Sequence, residues 1–547
     1  MAFSDFVKLW KDSDTYPKTI SDRYVELDVR QRLLDGSIYD VLQYSFEQEE
    51  TTNRKHIPIL KRRPSTPYNL AKIIVDQSSS LTFGEQHAPS VRLVSDDDSE
   101  SQDTQNTEDL KKHKLFEKIV EESELESVML EAMRKGSVGS VAIVLHRLPD
   151  GMPWLDVIES KYCTPYFDPA DPRKLKKMVQ VYPISAEGLD LAGYEGAFDP
   201  DETYWLMVTY TEQLEARALP MPQKRYEKLG QEDDDGTIIS WEPDTERSKV
   251  NPFNFMNVLW IRNLEERRAI DGDSTFREIA DMSIAITYAI SQINRGFRYT
   301  ADPLMAIEEG ELANAMPMGN YMGSPNGDND IVKSPARVLK IPRGGNIKVL
   351  EIAGDGLKAS AEFVRLLREY ALEVVSGLKS DQQHAGGVQS GKAINALEKA
   401  LHWLVSRFRT SYGKRGYLVL LKMIIRGLVE GTLAIPGVDV HMLDVNTSLR
   451  LLWPKDSLPE GADLLATVTA LNMAAGGSAQ TPVQLIATPA ATQATAEVFG
   501  ITDTNRAVAD VAQERGDKPQ TRPQDVAQST IEQQKILNQA TAQDKQE

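Results

Sequence analysis

The sequence has very little of the chemistry on which disulfide frameworks and zinc sites depend. Its 547 residues include one cysteine, Cys163, and seven histidines, which are scattered between His56 and His441 with no two of them four residues apart. One thiol cannot form an internal disulfide, which suits a reducing compartment, and tetrahedral zinc sites are built mostly from cysteine and histidine. We therefore expect no metal site, and we interpret Cys163 as a buried, unreactive thiol.

Long apolar runs and an excess of positive charge are also missing. No stretch of 18 apolar residues occurs, and the first residues, MAFSDFVKLWKDSD, lack the apolar core of a signal peptide. We therefore expect a soluble cytoplasmic protein with no membrane partner. Lys and Arg number 62 against 81 Asp and Glu, a net charge of −19. So acidic a surface repels phosphates, and bulk electrostatic capture of nucleic acid is not expected.

A glycine-rich stretch, GGVQSGKA at 386–393, nearly matches the phosphate-binding loop G-x-x-x-x-G-K-[ST]. Gly386, Gly391 and Lys392 have the required spacing, but Ala393 replaces the hydroxyl that holds magnesium. The preceding residues, AEFVRLLREYALEVVSGLK, predict a helix, whereas a phosphate-binding loop follows a strand. We therefore expect no cofactor, assign no catalytic residue and predict that the protein is not an enzyme. An ATP-using packaging or remodelling enzyme stays open as an alternative that rests on this stretch alone.

The first half of the chain alternates between helical and strand-like segments. Helices are predicted at 24–44, 69–81 and 110–135, and a short strand is predicted at 91–94. The run SDDDSESQDTQNTED (95–109) contains seven acids and no base, which is typical of a solvated loop. Between 138 and 262, strand-like segments such as VGSVAIVLHRL and YWLMVTYT are separated by Gly, Pro and Asp turns. This spacing predicts a β-rich region.

The clearest helix begins near Thr275, which forms a capping-box pattern with Glu278. Pro303 prevents this helix from continuing. Its apolar positions recur every three or four residues, as one helix face requires. They are Phe276, Ile279, Met282, Ile286, Ile290, Ile293 and Phe297.

An insertion with short apolar runs (303–353) separates this helix from a second one at about 356–378. A third helical stretch runs from 393 toward 430, and we expect it to kink or break near Gly413 and Gly416. The remaining predictions are a strand at 449–454, short Ala-rich helices at 459–515, and a polar, Gln-rich tail from 517 onward.

Five segments carry a resemblance to a known family. They are NLAKIIVDQSSSLTFGE (69–85), RNLEERRAIDGDS (262–274), FREIADMSIAITYAISQINRGFRYTADPLMAI (276–307), SGKAINALEKAL (390–401) and GGSAQTPVQLI (476–486). In this order they resemble the early helix and turn, the link into the stem, the first stem helix with its exit into the clip, the start of the tunnel helix and the crown-side helices of tailed-bacteriophage portal (head-tail connector) proteins. The acidic run and the Gln-rich tail are not signatures of that family.

The resemblance implies an α+β fold: an elongated portal-type subunit with a β-rich wing, a two-helix stem, a small β-containing clip, a long kinked tunnel helix and a helical crown. The implied boundaries are 1–273 for the N-terminal part of the wing, 274–302 for stem helix 1, 303–354 for the clip, 355–379 for stem helix 2, 380–392 for the tunnel loop, 393–458 for the tunnel helix and wing return, and 459–547 for the crown and polar tail.

The implied function is mechanical. Portal subunits form a ring, usually a dodecamer, at one capsid vertex of the virion, and the ring assembles in the host cytoplasm. Double-stranded DNA passes through its tunnel during packaging and ejection, the terminase large subunit docks on it, and head-completion or adaptor proteins follow. The major capsid or scaffolding protein is a further implied partner. An acidic channel wall would let DNA slide instead of sticking. Another ring-forming virion connector without portal anatomy is a third possibility.

Three groups of residues follow as candidates for this function. The tunnel loop would present DNA-facing groups, namely Gln382, Gln383, His384, Gly386, Gly387, Gln389 and Lys392. The clip would dock partners through a basic run in this acidic chain, namely Lys333, Arg337, Lys340, Arg343 and Lys348. The stem would pack partly between subunits through the apolar positions Phe276, Ile279, Met282, Ile286, Ile290 and Ile293.

Overall fold

The computed structural model describes these parts of the chain: 2–84, 87–93, 105–233, 237–264, 269–301, 304–308, 346–350, 354–376, 403–454 and residue 471. Within them, helices combine with mainly antiparallel sheets, so the chain belongs to the mixed α+β class, as the sequence predicts.

Three helices form the N-terminal helical unit: α1 (Phe3–Lys11), α2 (Asp22–Asp35) and α3 (Leu70–Phe83). The side chains of Ser21 and Asn69 cap α2 and α3 by accepting hydrogen bonds from backbone amides of their first turns. The predicted helix 24–44 is too long. Gly36, with φ of 82°, ends α2 in the left-handed conformation, and a 3-10 turn (Ser37–Val41) and the short strand β1 (Tyr44–Ser45) follow. β1 pairs in parallel with β2 (Arg62–Arg63).

The predicted helix 110–135 is two helices, α4 (Gln105–Glu122) and α5 (Leu125–Gly136). They are separated at Glu124, whose φ of 50° is left-handed and interrupts the helical path. Because α4 begins at Gln105, the prediction of a solvated loop through residue 109 is wrong for 105–109, while 95–104 lie outside the described residues.

The predicted β-rich region is confirmed as two antiparallel sheets. The smaller has the order β12 (Val258–Arg262), β4 (Ser140–Arg147), β5 (Pro153–Glu159). The larger has the order β11 (Pro243–Val250), β9 (Leu214–Ala218), β8 (Tyr204–Thr211), β7 (Leu175–Ile184), β6 (Cys163–Phe167), with β10 (Met221–Pro222) paired to β8. Two short helices, α6 (Ala186–Leu191) and α7 (Gln223–Tyr226), lie in the connections.

The small sheet is covered on both faces, and this explains the unbroken apolar run of β4. Ala142 and Val144 face a core shared with the large sheet, which also holds Cys163. Val141 and Ile143 face a second core, made with α5 and the helical stretch 403–429. A strand with both faces covered needs apolar residues at consecutive positions instead of alternate ones.

Of the predicted third helical stretch, the structure describes 403–429. It contains a π-helix at Arg409–Tyr417, which is followed by the α-helix α10 (Leu418–Val429). The predicted irregularity near Gly413 and Gly416 is therefore confirmed, and it takes the form of a widened helix. Both glycines allow close packing: a Cβ at 413 would lie 2.6 Å from the ring of Trp453, and one at 416 would lie 2.8 Å from Met129.

Candidate functional site

Two long helices and a β-ladder form what we call the two-helix arm: α8 (Ala280–Ala301), β13 (Leu304–Glu308), β14 (Asn346–Leu350) and α9 (Gly354–Ser376). β13 and β14 are antiparallel, with Leu304 opposite Leu350 and Glu308 opposite Asn346. α8 and α9 pack against each other, and α9 reaches back to the 3-10 turn Arg277–Ile279 where α8 begins. At 1.5 Å per residue the helices are about 33 and 35 Å long.

The predicted capping box at the start of this arm is wrong. The chain first forms the 3-10 turn Arg277–Ile279, and the α-helix starts at Ala280. The Thr275 hydroxyl instead accepts a hydrogen bond of 3.0 Å from the Asn263 side chain, which takes it away from the helix terminus.

The apolar stripe of α8 packs inside the subunit. Phe276, Ile279 and Ile286 are at most 1% exposed and belong to the core of the N-terminal helical unit. Met282 and Ile290 pack against that core while partly exposed, and Ile293 is half-buried. The stripe therefore faces the chain's own helices along most of its length, and the predicted packing between subunits stays a prediction.

α8 also buries a row of polar side chains, which the apolar pattern of the sequence does not predict. Ser283, Thr287 and Ser291 are at most 2% exposed. The Thr287 hydroxyl donates to the Tyr68 carbonyl (3.0 Å), and the Thr66 amide donates to the Ser291 hydroxyl (3.1 Å). These hydroxyls form hydrogen bonds with backbone groups of the segment 66–68, which would otherwise be buried against the helix without partners. The three residues are spaced four apart, which places them on one face of α8, and this spacing could have predicted the polar face from the sequence.

Both helices of the arm carry large exposed side chains. Phe297, in the last turns of α8, is 58% exposed, and Phe363, in the middle of α9, is 55% exposed, whereas Ala371 on α9 is fully buried. Tyr370 and Val374 on α9 are also exposed. Exposed aromatic side chains on adjoining helices are typical of surfaces that associate with another protein.

A buried ionic network joins the N-terminal helical unit to the sheets. The carboxylate of Asp28 on α2 lies 3.0 Å from the ammonium of Lys161 and 2.7 Å from the guanidinium of Arg32, and it accepts a hydrogen bond from the Tyr16 hydroxyl. Lys161 also pairs with Glu159 at 2.9 Å. Burial by itself would raise the pKa of Asp28, but Lys161, Tyr16 and Arg32 together hold that pKa below its usual range.

The segment that resembles the link into the stem lies at a junction of three elements. Asn263 is fully buried and donates to the Asp273 carbonyl (2.9 Å) and to Thr275. It accepts a hydrogen bond of 3.0 Å from the hydroxyl of Tyr412 in the π-helix. The start of the arm is thereby fixed to the end of β12 and to the helical stretch 403–429.

Gly136→Ala is expected to weaken this junction by about 2 kcal/mol. A Cβ at residue 136 would lie 2.2 Å from the Tyr412 hydroxyl and would displace it from Asn263. Chemical denaturation of the single variants and of Gly136→Ala/Tyr412→Phe checks this. The double variant lacks the displaced hydroxyl, so its cost should be smaller than the sum of the two single costs. Additive costs would contradict the proposed clash.

The other predicted site residues have no described side chains. The tunnel-loop residues Gln382, Gln383, His384, Gly386, Gly387, Gln389 and Lys392 lie outside the described residues. So do Lys333, Arg337, Lys340 and Arg343 of the basic run. The backbone of Lys348 belongs to β14, opposite Ala306.

Cys163 is fully buried, and burial raises the pKa of its thiol, so it is held as an unreactive thiol. Across the described ranges, no three His, Cys, Asp or Glu side chains come together as metal ligands. No helix in the same ranges has both the length and the apolar character to cross a bilayer.

Comparison with known proteins gives no family for this chain. No family model matches it, and no curated protein matches it.

Proposed function

We propose that this chain is the subunit of a tailed-bacteriophage portal, a ring at one capsid vertex through which double-stranded DNA enters and leaves. The observation that carries the proposal is the two-helix arm. Its two helices are of similar length and are joined through a two-stranded antiparallel ladder, whose strands are separated in the sequence by residues 309–345. In this proposal α8 and α9 are the stem, β13 and β14 form the base of the clip, and the sheets of 138–262 belong to the wing.

The exposed side chains of the arm support assembly into a ring. Burying a large apolar side chain stabilises a contact by roughly 2 kcal/mol, and Phe297 and Phe363 are both more than half exposed in the isolated subunit. A surface on one copy that meets a different surface on the next generates a closed ring when the rotation closes. We propose that the outer part of the arm makes this contact and that the ring is a dodecamer.

Charge supports a channel rather than a stable DNA-binding site. Each subunit carries a net charge of −19, so a ring accumulates a strongly negative field. In this proposal the loop 380–392 faces the passing DNA, and the basic run 333–348 meets the terminase large subunit and later the head-completion or adaptor proteins. The protein would act without catalysis, in the virion, beside the major capsid or scaffolding protein.

Electron microscopy of the purified full-length protein tests the proposal, with rings around a central channel as the expected result. Phe297→Asp/Phe363→Asp should give folded monomers by native mass spectrometry, because two charges would then lie in the contact between copies. Leu191→Asp is the matched control. Leu191 is 86% exposed on α6, away from the arm, so this variant should keep the ring.

Other outcomes would point to other functions. Rings without a stem and channel would favour a virion connector without portal anatomy. Binding of ATP with magnesium that is lost in Lys392→Ala would replace the portal by an ATP-using enzyme, because Lys392 stands at the lysine position of the near-match to a phosphate-binding loop.

A further inference from the structure

A cavity of about 420 Å³ opens between β3 (Ser90–Leu93), the α4–α5 junction and the end of the π-helix. One water occupies roughly 30 Å³ of liquid, so the cavity has room for an organic group. Ala88, Pro89, Val91 and Val120 contribute apolar wall, whereas Ser90, Tyr417 and a set of glutamates contribute polar groups. The cavity is remote in sequence from the arm and plays no part in the proposed ring contact.

Two buried hydroxyls of the cavity lining lack partners. Tyr417 is fully buried, and its hydroxyl forms no hydrogen bond within the described part of the chain. The Ser90 hydroxyl is likewise buried and without a partner there. A buried hydroxyl without a partner costs about 1–3 kcal/mol, so the two hydroxyls favour a ligand that forms hydrogen bonds with them, and each of them can accept as well as donate.

Packing fixes the position of the Tyr417 ring. It stacks on Phe83 with the planes at 5° and the centroids 6.3 Å apart. Tyr417 is also the last residue of the π-helix, a widened helix of the kind that often marks functional sites. The position of the hydroxyl oxygen is therefore fixed by the packing of the ring.

The mouth of the cavity is acidic. Glu121, Glu124 and Glu126 line it, and their carboxylates form no ion pair with the described residues. The left-handed backbone of Glu124 brings this residue to the rim at the break between α4 and α5. Glu126 lies near enough to Tyr417 to raise the pKa of that phenol further, after burial, which is the main cause. The phenol therefore stays protonated; burial also raises the pKa of Glu126, and a cationic ligand beside it would favour its ionised form.

We propose that this cavity binds a primary ammonium group carried on an alkyl chain. An ammonium has three N–H donors in a compact head, and the lining offers three kinds of acceptor: the Tyr417 hydroxyl, the Ser90 hydroxyl and the Glu126 carboxylate. The apolar wall accommodates the alkyl stem. The same chemistry is available from a free alkyl diamine and from a lysine side chain of a polypeptide.

Isothermal titration calorimetry of the full-length protein with n-butylammonium at constant ionic strength tests the proposal. Tetramethylammonium is the matched probe, because it has the same charge but no N–H donor. We expect saturable binding of n-butylammonium and roughly tenfold weaker binding of tetramethylammonium. Parallel titrations with 1,4-diaminobutane and with N-acetyl-lysine amide identify the source, since the tighter of the two is the better model of the natural ligand.

Substitutions locate the site. Tyr417→Phe keeps the ring and its stacking on Phe83 but removes the hydroxyl, and it should weaken n-butylammonium binding roughly tenfold; Glu126→Gln and Ser90→Ala should also weaken it. Glu187→Gln, an exposed change on α6, is the control and should bind as the wild type does. Circular dichroism confirms that each variant is folded. No binding of n-butylammonium, equal binding of tetramethylammonium, or binding unchanged in the folded Tyr417→Phe, Glu126→Gln and Ser90→Ala variants would overturn the proposal.

Discussion

Ile286→Asp is expected to unfold the N-terminal helical unit together with the root of the arm, at a cost of at least about 4 kcal/mol in the free energy of unfolding. Ile286 is fully buried in the core that α8 shares with that unit. Aspartate at this position would lose the apolar contacts and would have to bury a charge without a partner or take up a proton. Urea denaturation followed by circular dichroism measures the loss.

Phe297→Asp is the matched control for this result. Residue 297 continues the same apolar stripe on the same helix but is 58% exposed, so its change to aspartate should alter the free energy of unfolding of the monomer by less than about 1 kcal/mol. The two variants separate packing within the subunit from packing between subunits. An Ile286→Asp subunit that is as stable as the wild type but no longer forms rings would show that Ile286 lies at a subunit contact.

Lys161→Met is expected to lower the free energy of unfolding by about 3 kcal/mol. The side chains of Lys161 and Asp28 are 12% and 9% exposed, so the loss of the ammonium leaves a nearly buried carboxylate with less compensation. Glu159 loses its partner at the same time. The contact joins α2 to the 3-10 turn Ser160–Tyr162, so its loss weakens the attachment of the N-terminal helical unit to the sheets.

Two further variants show whether burial causes this cost. Adding Asp28→Asn to Lys161→Met removes the uncompensated charge and should recover part of the lost stability. Lys174→Met breaks an exposed pair of Lys174 and Glu212, whose side chains are 54% and 45% exposed, and should cost far less stability than Lys161→Met because solvent screens the pair. Equal losses in Lys161→Met and Lys174→Met would contradict the role assigned to the buried network.

The same network gives the protein a defined response to acid. Because the pKa of Asp28 is lower in the folded chain than the unfolded value of about 3.9, the unfolded chain binds this proton more readily. The contribution of Asp28 is therefore complete above about pH 5 and is lost as the pH falls through the folded pKa. The stability difference between the wild type and Lys161→Met should narrow over that acidic range.

Local patterns in the sequence were sufficient for element types wherever one face of an element meets the core. The stripe from Phe276 to Ile293 predicted α8, Pro303 marked its end, and alternating or continuous apolar runs predicted the sheets. Such patterns record periodicity, which depends on neighbours in the chain. They did not show the left-handed backbone of Glu124 or the 3-10 turn that replaces the capping box, because both depend on packing against other segments.

The sequence by itself determined the mixed α+β class, the acidic charge, the scarcity of metal-binding residue types and the order of segments from which the portal function is proposed. Only the tertiary structure decided that the α8 stripe is covered by the chain's own N-terminal helices, that Asp28 meets Lys161 across 133 positions, and that Tyr417 lines an acidic cavity with Ser90 and Glu126. The physical reason is the same in each case. A residue's type and spacing restrict which environment it tolerates, whereas the identity of its partner depends on how distant segments pack together.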